Sequence, residues 1–277
     1  MKTIKIILIL CLSILFSTSC KKKVDMTLMQ KTMFENITIS QIEVNDAWSV
    51  TVVADSSVFV EVKYSAYLEN YLKINMEGTK LHVGFTGWVH NEINSVFEAV
   101  VHTNQLEKLE IDDAAKVQCV GDFFGQKIEV EISGAANCNG LVFSGEGCEI
   151  SGDNAAVLTG FQFIGNSCKA ELDNASQFNG DIQASNYFEL ELKSASRFVN
   201  KGNMTAKAII KMQDVSFLNM VDTQVREMQV ELSSASEATV RVSELLEGFL
   251  HETSTLYYKG HPQIDIDCSG DSQLIPF

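Results

Sequence analysis

Alanine returns every twenty residues along the second half of this chain, at Ala135, Ala155, Ala175, Ala195 and Ala235, with Val215 in the one place it misses and Thr255 continuing the series. The flanks return with it. EISGAAN starts at Glu131, ELDNASQ at Glu171, ELKSASR at Glu191 and ELSSASE at Glu231, while LEIDDAAK from Leu109 is an earlier copy one residue out of register. Gly140, Gly160 and Gly180 keep the same spacing, and Asn200 succeeds them. A fixed period of this length marks a repeat architecture, in which each unit buries its apolar face only by stacking on the next.

Inside each unit apolar and polar residues alternate, the period-two pattern of a strand with one face inside. Three columns point inward: Val130, Ile150, Ala170, Leu190, Ile210, Val230 and Leu250; then Ile132, Leu172, Leu192, Met212 and Leu232; then Cys138, Leu158, Phe178, Phe198 and Leu218. Ala, Ser, Gly and Asn between the strands supply tight corners, where short side chains and positive φ are tolerated. On this reading a leucine at Ala175 overpacks its corner. Both prolines, Pro262 and Pro276, lie at the far C-terminal end. Proline cannot donate to a ladder, so their absence elsewhere fits continuous hydrogen-bonded strands.

The expected fold is therefore all-β, a right-handed parallel β-helix of about eight coils, since parallel crossovers are right-handed. Residues 106–260 form its regular repeats and 261–277 a C-terminal cap over the open ladder. Residues 33–105 carry short β-prone runs out of register (37–39, 49–54, 58–64, 72–76, 80–85 and 99–102) and read as irregular first coils with longer turns.

Lys2 and Lys5 precede an apolar run from Ile6 to Phe16, followed by Ser17, Thr18 and Ser19. That run is too short to span a bilayer and reads as a signal peptide over residues 1–19. Cys20 after small residues resembles a lipoprotein signal, although Ser17 stands where the commonest form has Leu. Residues 20–32 then form a lipid-anchored tether, with Lys21, Lys22 and Lys23 against anionic head groups as a second membrane signal. The expected location is the cell envelope, as an outer-membrane lipoprotein facing the periplasm or the surface.

Loss of Lys2 and Lys5 from 21 basic residues leaves 19 against 36 acidic ones, a net charge of −17. Such a surface repels phosphate backbones, so nucleic acid is not an expected partner. Cys119, Cys138, Cys148, Cys168 and Cys268 are odd in number and scattered, which argues against a complete disulfide framework. Cys148 and Cys168 share an inward column, where they pack as small apolar groups or lie close enough to bond.

The candidate sites are few. Outward positions carry Glu129, Glu131, Glu149, Asp153, Glu171, Asp173, Glu189, Glu191 and Glu231, interrupted by Lys169, Lys193 and Lys211. This acidic face is either a solvated surface or, through Asp153, Asp173, Glu171 and Glu191, a contact for a glycan or lipid head group assisted by calcium. No other cofactor is expected. Asn154 and Asn174 share a corner column and should bond along it. Trp88 and His90 sit on a long turn that either contacts a ligand or lids the end of the solenoid. His82, His90, His102, His251 and His261 show no metal-ligand spacing, and no nucleophile motif is present.

Taken in order, FENITIS from Phe34, VTVVADSSVFVEVKY from Val50, YLKINMEGTKLHVGF from Tyr71, LEKLEIDDAAKV from Leu106 and the repeats that follow resemble the auto-transporter adhesin, head GIN domain family over about residues 33–250. The stretch from Gly87 to Ser95 is longer than the usual connection. The resemblance implies an envelope protein with β-helical repeats and no catalytic motif to carry over. The first reading is a non-catalytic envelope module that adheres, scaffolds or senses through the long side of the solenoid, with a glycan or another envelope protein as partner besides the membrane. The alternative is a carbohydrate-active β-helix of polysaccharide-lyase type. A lyase needs a basic side chain beside its calcium carboxylates, and Lys193, following Asp153 and Asp173 in their column, is the one candidate.

Overall fold

The structure is a computed structural model that describes residues 24–89, 92–202 and 205–277. The predicted signal peptide and Cys20 lie outside the described residues, as does His90. The N-terminal part contains β1 (Leu28–Met33), β2 (Gln41–Val44), β3 (Ser49–Ala54), β4 (Phe59–Ser65), β5 (Leu72–Glu77), β6 (Lys80–Phe85) and β7 (Phe97–Thr103), with a 3-10 helix at Ala66–Tyr71 between β4 and β5. The repeats follow as β8 (Lys108–Ile111), β9 (Lys116–Val120), β10 (Asp122–Ile132), β11 (Asn137–Asn139), β12 (Val142–Gly152), β13 (Val157–Leu172), β14 (Gln177–Leu192), β15 (Arg197–Asn200), β16 (Thr205–Met212), β17 (Phe217–Leu232), β18 (Glu237–Leu250), β19 (Thr255–Lys259), β20 (Gln263–Cys268) and β21 (Gln273–Pro276). Together they wind a β-solenoid of about eight turns, as the repeat requires.

From β8 onward every pairing is parallel, and residues twenty apart lie side by side: Ile150 beside Ala170, Cys148 beside Cys168, Phe178 beside Phe198. All three inward columns are buried. Like stacks on like, and the rings of Phe178 and Phe198 lie 4.3 Å apart and nearly parallel. The last two repeats shorten to eighteen residues, Leu246 pairing with Ile264 and Leu256 with Leu274. The expected cap over 261–277 is thus built as one more coil. Its inward Ile264, Ile266 and Leu274 are left partly or fully exposed, with no coil beyond them among the described residues.

The corners explain the alanine period and correct one reading of it. At four successive corners two consecutive residues take the left-handed conformation: Asn154 and Ala155, Asn174 and Ala175, Ser194 and Ala195, Asp214 and Val215. That conformation costs roughly 1–2 kcal/mol for a residue with Cβ. It persists because it aims each corner amide at the next coil: the N–H of Ala155 donates to Asn174 O at 2.8 Å, that of Ala175 to Ser194 O at 2.9 Å and that of Ala195 to Asp214 O at 2.8 Å. The alanines themselves point to solvent, and Val215 in the same column is 64% exposed. The buried corner position is the next one, Ala136, Ala156, Ser176, Ser196, Ser216 and Ser236. A leucine at Ala175 therefore meets water and not an overpacked corner.

The N-terminal part is no simple run of first coils. β2 and β3 are sandwiched between the coil of β6 and β7 on one side and that of β8 and β9 on the other, so the chain lays the inner coil before the outer. Antiparallel strands then close the end: β5 on β6, and β4 between β7 and β1. Residues 28–32, expected as tether, belong to β1. Inside, Trp48 packs 5.4 Å from Phe85 and 6.0 Å from Phe97, and Tyr64 and Leu68 are buried as well. This plug takes the lid role that Trp88 was one candidate for. Trp88 is 86% exposed.

Candidate functional site

The outward columns of the long sheet that runs through β6, β2, β8, β10, β12, β13, β14, β16 and β17 carry alternating charge. Because neighbouring coils bring these side chains together, acids and bases that lie far apart in sequence become ion-pair partners. Lys80 bridges Glu43 at 2.6 Å and Glu110; Lys108 reaches Glu129 at 2.8 Å, Glu110 at 2.9 Å and Glu131 at 3.0 Å. Further along, Lys127 pairs with Glu149 at 2.7 Å, and Lys193 with Glu191 at 2.7 Å and Glu171 at 3.1 Å. The pairs near β2 are the more enclosed. Burial would raise the Glu43 carboxyl, but hydrogen bonds from Lys80 and Asn45, with the His82 ring beside it, hold it down at about 2. Glu131 moves the other way, raised by burial and by Glu129 beside it.

Of the four predicted cation ligands, Glu171 and Glu191 are brought together, but by Lys193, which sits between them and not over Asp173. Asp153 and Asp173 stand at successive corners, where both oxygens of Asp153 and one of Asp173 accept hydrogen bonds. Asp153 Oδ1 accepts the Asn154 N–H at 2.8 Å and the Asn174 amide at 2.7 Å, and its Oδ2 accepts the Asn154 amide at 2.7 Å; Asp173 Oδ1 accepts the Asn174 N–H at 2.7 Å. The asparagine side chains thus bond to aspartate and not to each other. No cluster of three His, Cys, Asp or Glu side chains suited to a metal occurs among the described residues. Cys148 and Cys168 stand opposite each other as buried free thiols, and burial pushes the Cys148 thiol well above its usual value. The Lys193 ammonium is held above its ordinary value by its hydrogen bonds to Glu191 and Glu171, so it keeps its proton.

A feature missed in the sequence lies at the start of the sheet. Phe123 and Phe124 are consecutive in β10, so only one can point inward: Phe123 is buried and Phe124 is 67% exposed. Phe124 borders a groove of about 460 Å³ whose walls include Gln41, Gln105, Gln126, Lys108 and Lys127. An exposed ring beside side-chain amides was legible as a doublet that breaks the alternation, but nothing in the repeat placed Gln41 and Gln105 beside it. That requires knowing that β2 lies next to β8.

The sequence pattern of the family described as "putative auto-transporter adhesin, head GIN domain" matches residues 39–161 and again 145–262. The chain belongs to this family. Three solved structures share its fold. A putative lipid binding protein from Parabacteroides distasonis ATCC 8503 is 17% identical with a TM-score of 0.61, covering 91% of this chain and 97% of the other. A putative adhesin from Parabacteroides merdae ATCC 43184 is 12% identical with a TM-score of 0.60, covering 92% and 98%. A second putative adhesin from P. distasonis is 14% identical with a TM-score of 0.61, covering 91% and 98%. No curated protein shows a significant sequence match. The two family matches overlap at residues 145–161, inside the regular repeats, as a solenoid that repeats its own pattern would produce.

Proposed function

We propose that this head GIN domain protein is a non-catalytic binding module of the cell envelope, held to the membrane by a lipid on Cys20, that contacts glycans through the groove beside Phe124. The observation that carries the reading is the exposed Phe124 ring flanked by Gln41, Gln105, Gln126, Lys108 and Lys127. A sugar ring presents an apolar face that stacks on an aromatic and a rim of hydroxyls that needs donors and acceptors, and the groove offers both. A small number of polar groups around an apolar platform is the usual composition of such sites.

Lyase chemistry is disfavoured by Lys193. A general base must give up its proton near neutral pH, and this ammonium is stabilised by two carboxylates. The test is titration of the protein with envelope oligosaccharides by calorimetry. Phe124→Ala should weaken binding at least about tenfold, the scale of one well-packed contact, while Asp153→Asn leaves it unchanged. Equal affinities for wild type and Phe124→Ala would sink the groove as the site. Fractionation tests the anchor: Cys20→Ser should move the protein from the membrane to the soluble fraction.

A further inference from the structure

A second set of exposed apolar side chains lies at the closed N-terminal end. Met26, Leu28, Tyr71, Trp88 and Ile93 are all exposed there, Trp88 at 86% and Ile93 at 88%. Polar bonds tie the elements that carry them to the 3-10 helix. The Tyr67 N–H donates to Asp25 O at 3.1 Å and the Ala66 N–H to Thr27 O at 2.8 Å, which fixes the backbone on both sides of Met26. At the other end of the helix Thr86 donates to Tyr71 O through its N–H at 2.7 Å, two residues before Trp88. Ile93 sits on a turn closed by the Ser95 N–H to Glu92 O at 3.1 Å, and the Glu92 N–H donates in turn to the Tyr67 hydroxyl at 3.2 Å. Val89 packs against the core, while Trp88 beside it is exposed. The exposed side chains are therefore presented by an ordered frame.

We infer that this end is a membrane-contact surface, with Trp88 and Ile93 entering the interfacial layer of the bilayer to which the lipid on Cys20 tethers the chain. The inference rests on the lipid-anchored reading above. Asp25, bonded to this frame, is five residues from Cys20. Five extended residues span at most about 18 Å, so a lipid at Cys20 keeps this end, and not the C-terminal coil, next to the membrane. Trp and Tyr are the side chains that favour the head-group layer, where an apolar body and a polar edge are both accommodated. Contact at two places would fix the solenoid upright, its long charged face projecting away from the lipid.

The chain has two tryptophans, Trp88 and the fully buried Trp48, so emission reports the contact directly. The lipidated protein is incorporated into phosphatidylcholine vesicles with and without bromine on the acyl chains, and flotation is measured in parallel. Bromine should quench the share of wild-type emission that comes from Trp88, one of the two tryptophans, and none of that of Trp88→Phe, which should still float. Ile93→Asp should reduce the quenching without releasing the protein. Wild type that floats with emission indifferent to bromine overturns the inference and leaves the anchor standing. Equal quenching in Trp88→Phe also overturns it, because Trp48 would then be the reporter. Protein that stays in solution overturns both.

Discussion

The two ends of this molecule are made by different means. From β8 onward each residue packs against its counterpart one period along the chain, so a column of Val, Ile, Leu and Phe repeats one solution seven times. Between Leu28 and Thr103 no period operates: β2 and β3 are enclosed by strands that come much later, and an aromatic plug with antiparallel strands closes the end. The difference teaches that a solenoid needs sequence-specific chemistry only where it stops repeating. The regular coils should tolerate change position by position, because neighbouring coils have already satisfied the same geometry. The closed end depends on single side chains that have no counterpart.

The largest expected effect is at the plug. Trp48 is fully buried between Phe85 and Phe97, and Trp48→Ala should cost roughly 3–5 kcal/mol. Hydrogen exchange should show β2, β3, β6 and β7 losing protection while β13 and β14 keep theirs. Uniform loss across both regions would mean that the closed end and the repeats unfold as one unit, and the comparison would fail.

A steric change inside the repeats should cost less. Gly125, Gly145 and Gly165 stack in register, and a Cβ on Gly165 would stand 2.1 Å from Gly145 O and 2.4 Å from the Phe163 ring. Gly165→Ala should destabilise by about 1–3 kcal/mol as the coils shift apart. Chemical denaturation checks it, and a loss below that range would show that the stack yields easily at one step.

The repeats were legible in the sequence because solenoid packing maps sequence spacing directly onto space; the inward columns and the coil count follow from residues 130 to 250 alone. The closed end was not, since the alternation in Ser49–Ala54 or Lys80–Phe85 identifies a strand but not its neighbour, and nothing local says that β6 returns to the far side of β2. The candidate site divided in the same way. Glu171 and Glu191 lie on the outward sheet and Asp153 and Asp173 at its corners, where Asn154, Asn174 and Lys193 bond to some of their oxygens, because stacking brings donors to them as surely as it brings acids. Trp88 was visible as an odd residue on a long turn, but its exposure was not.

Acid should separate the two regions electrostatically. Glu43 has its folded pKa at about 2, below its ordinary 4.5. Its stabilisation is therefore complete above pH 4.5 and is lost as pH falls from there to about 2, amounting to something on the order of 2 kcal/mol once partial exposure is discounted. Glu43→Gln should lower stability at neutral pH and flatten the acid limb of the profile. Glu131, with its pKa raised, contributes the opposite slope, so Glu131→Gln should steepen that limb. An acid limb unaffected by Glu43→Gln would place the pH sensitivity in the exposed pairs of the repeats instead.

The smallest effect is the most diagnostic of how the corners work. Ala175 and Ser176 are adjacent, yet the first is exposed in the left-handed conformation and the second is buried with its hydroxyl donating to Asp173 O at 2.6 Å. Ala175→Leu adds its side chain to solvent and keeps the backbone bond to Ser194, so it should change stability by no more than about 0.5 kcal/mol; Val215 shows that the column accepts a branched side chain. Ser176→Leu both overpacks the corner and deletes a buried hydrogen bond, so it should cost about 1–3 kcal/mol. Thermal unfolding of the two variants side by side decides the matter. If Ala175→Leu were the more harmful of the pair, the alanine period would mark a packed column after all, and the regular coils would rest on single side chains in the same manner as the closed end.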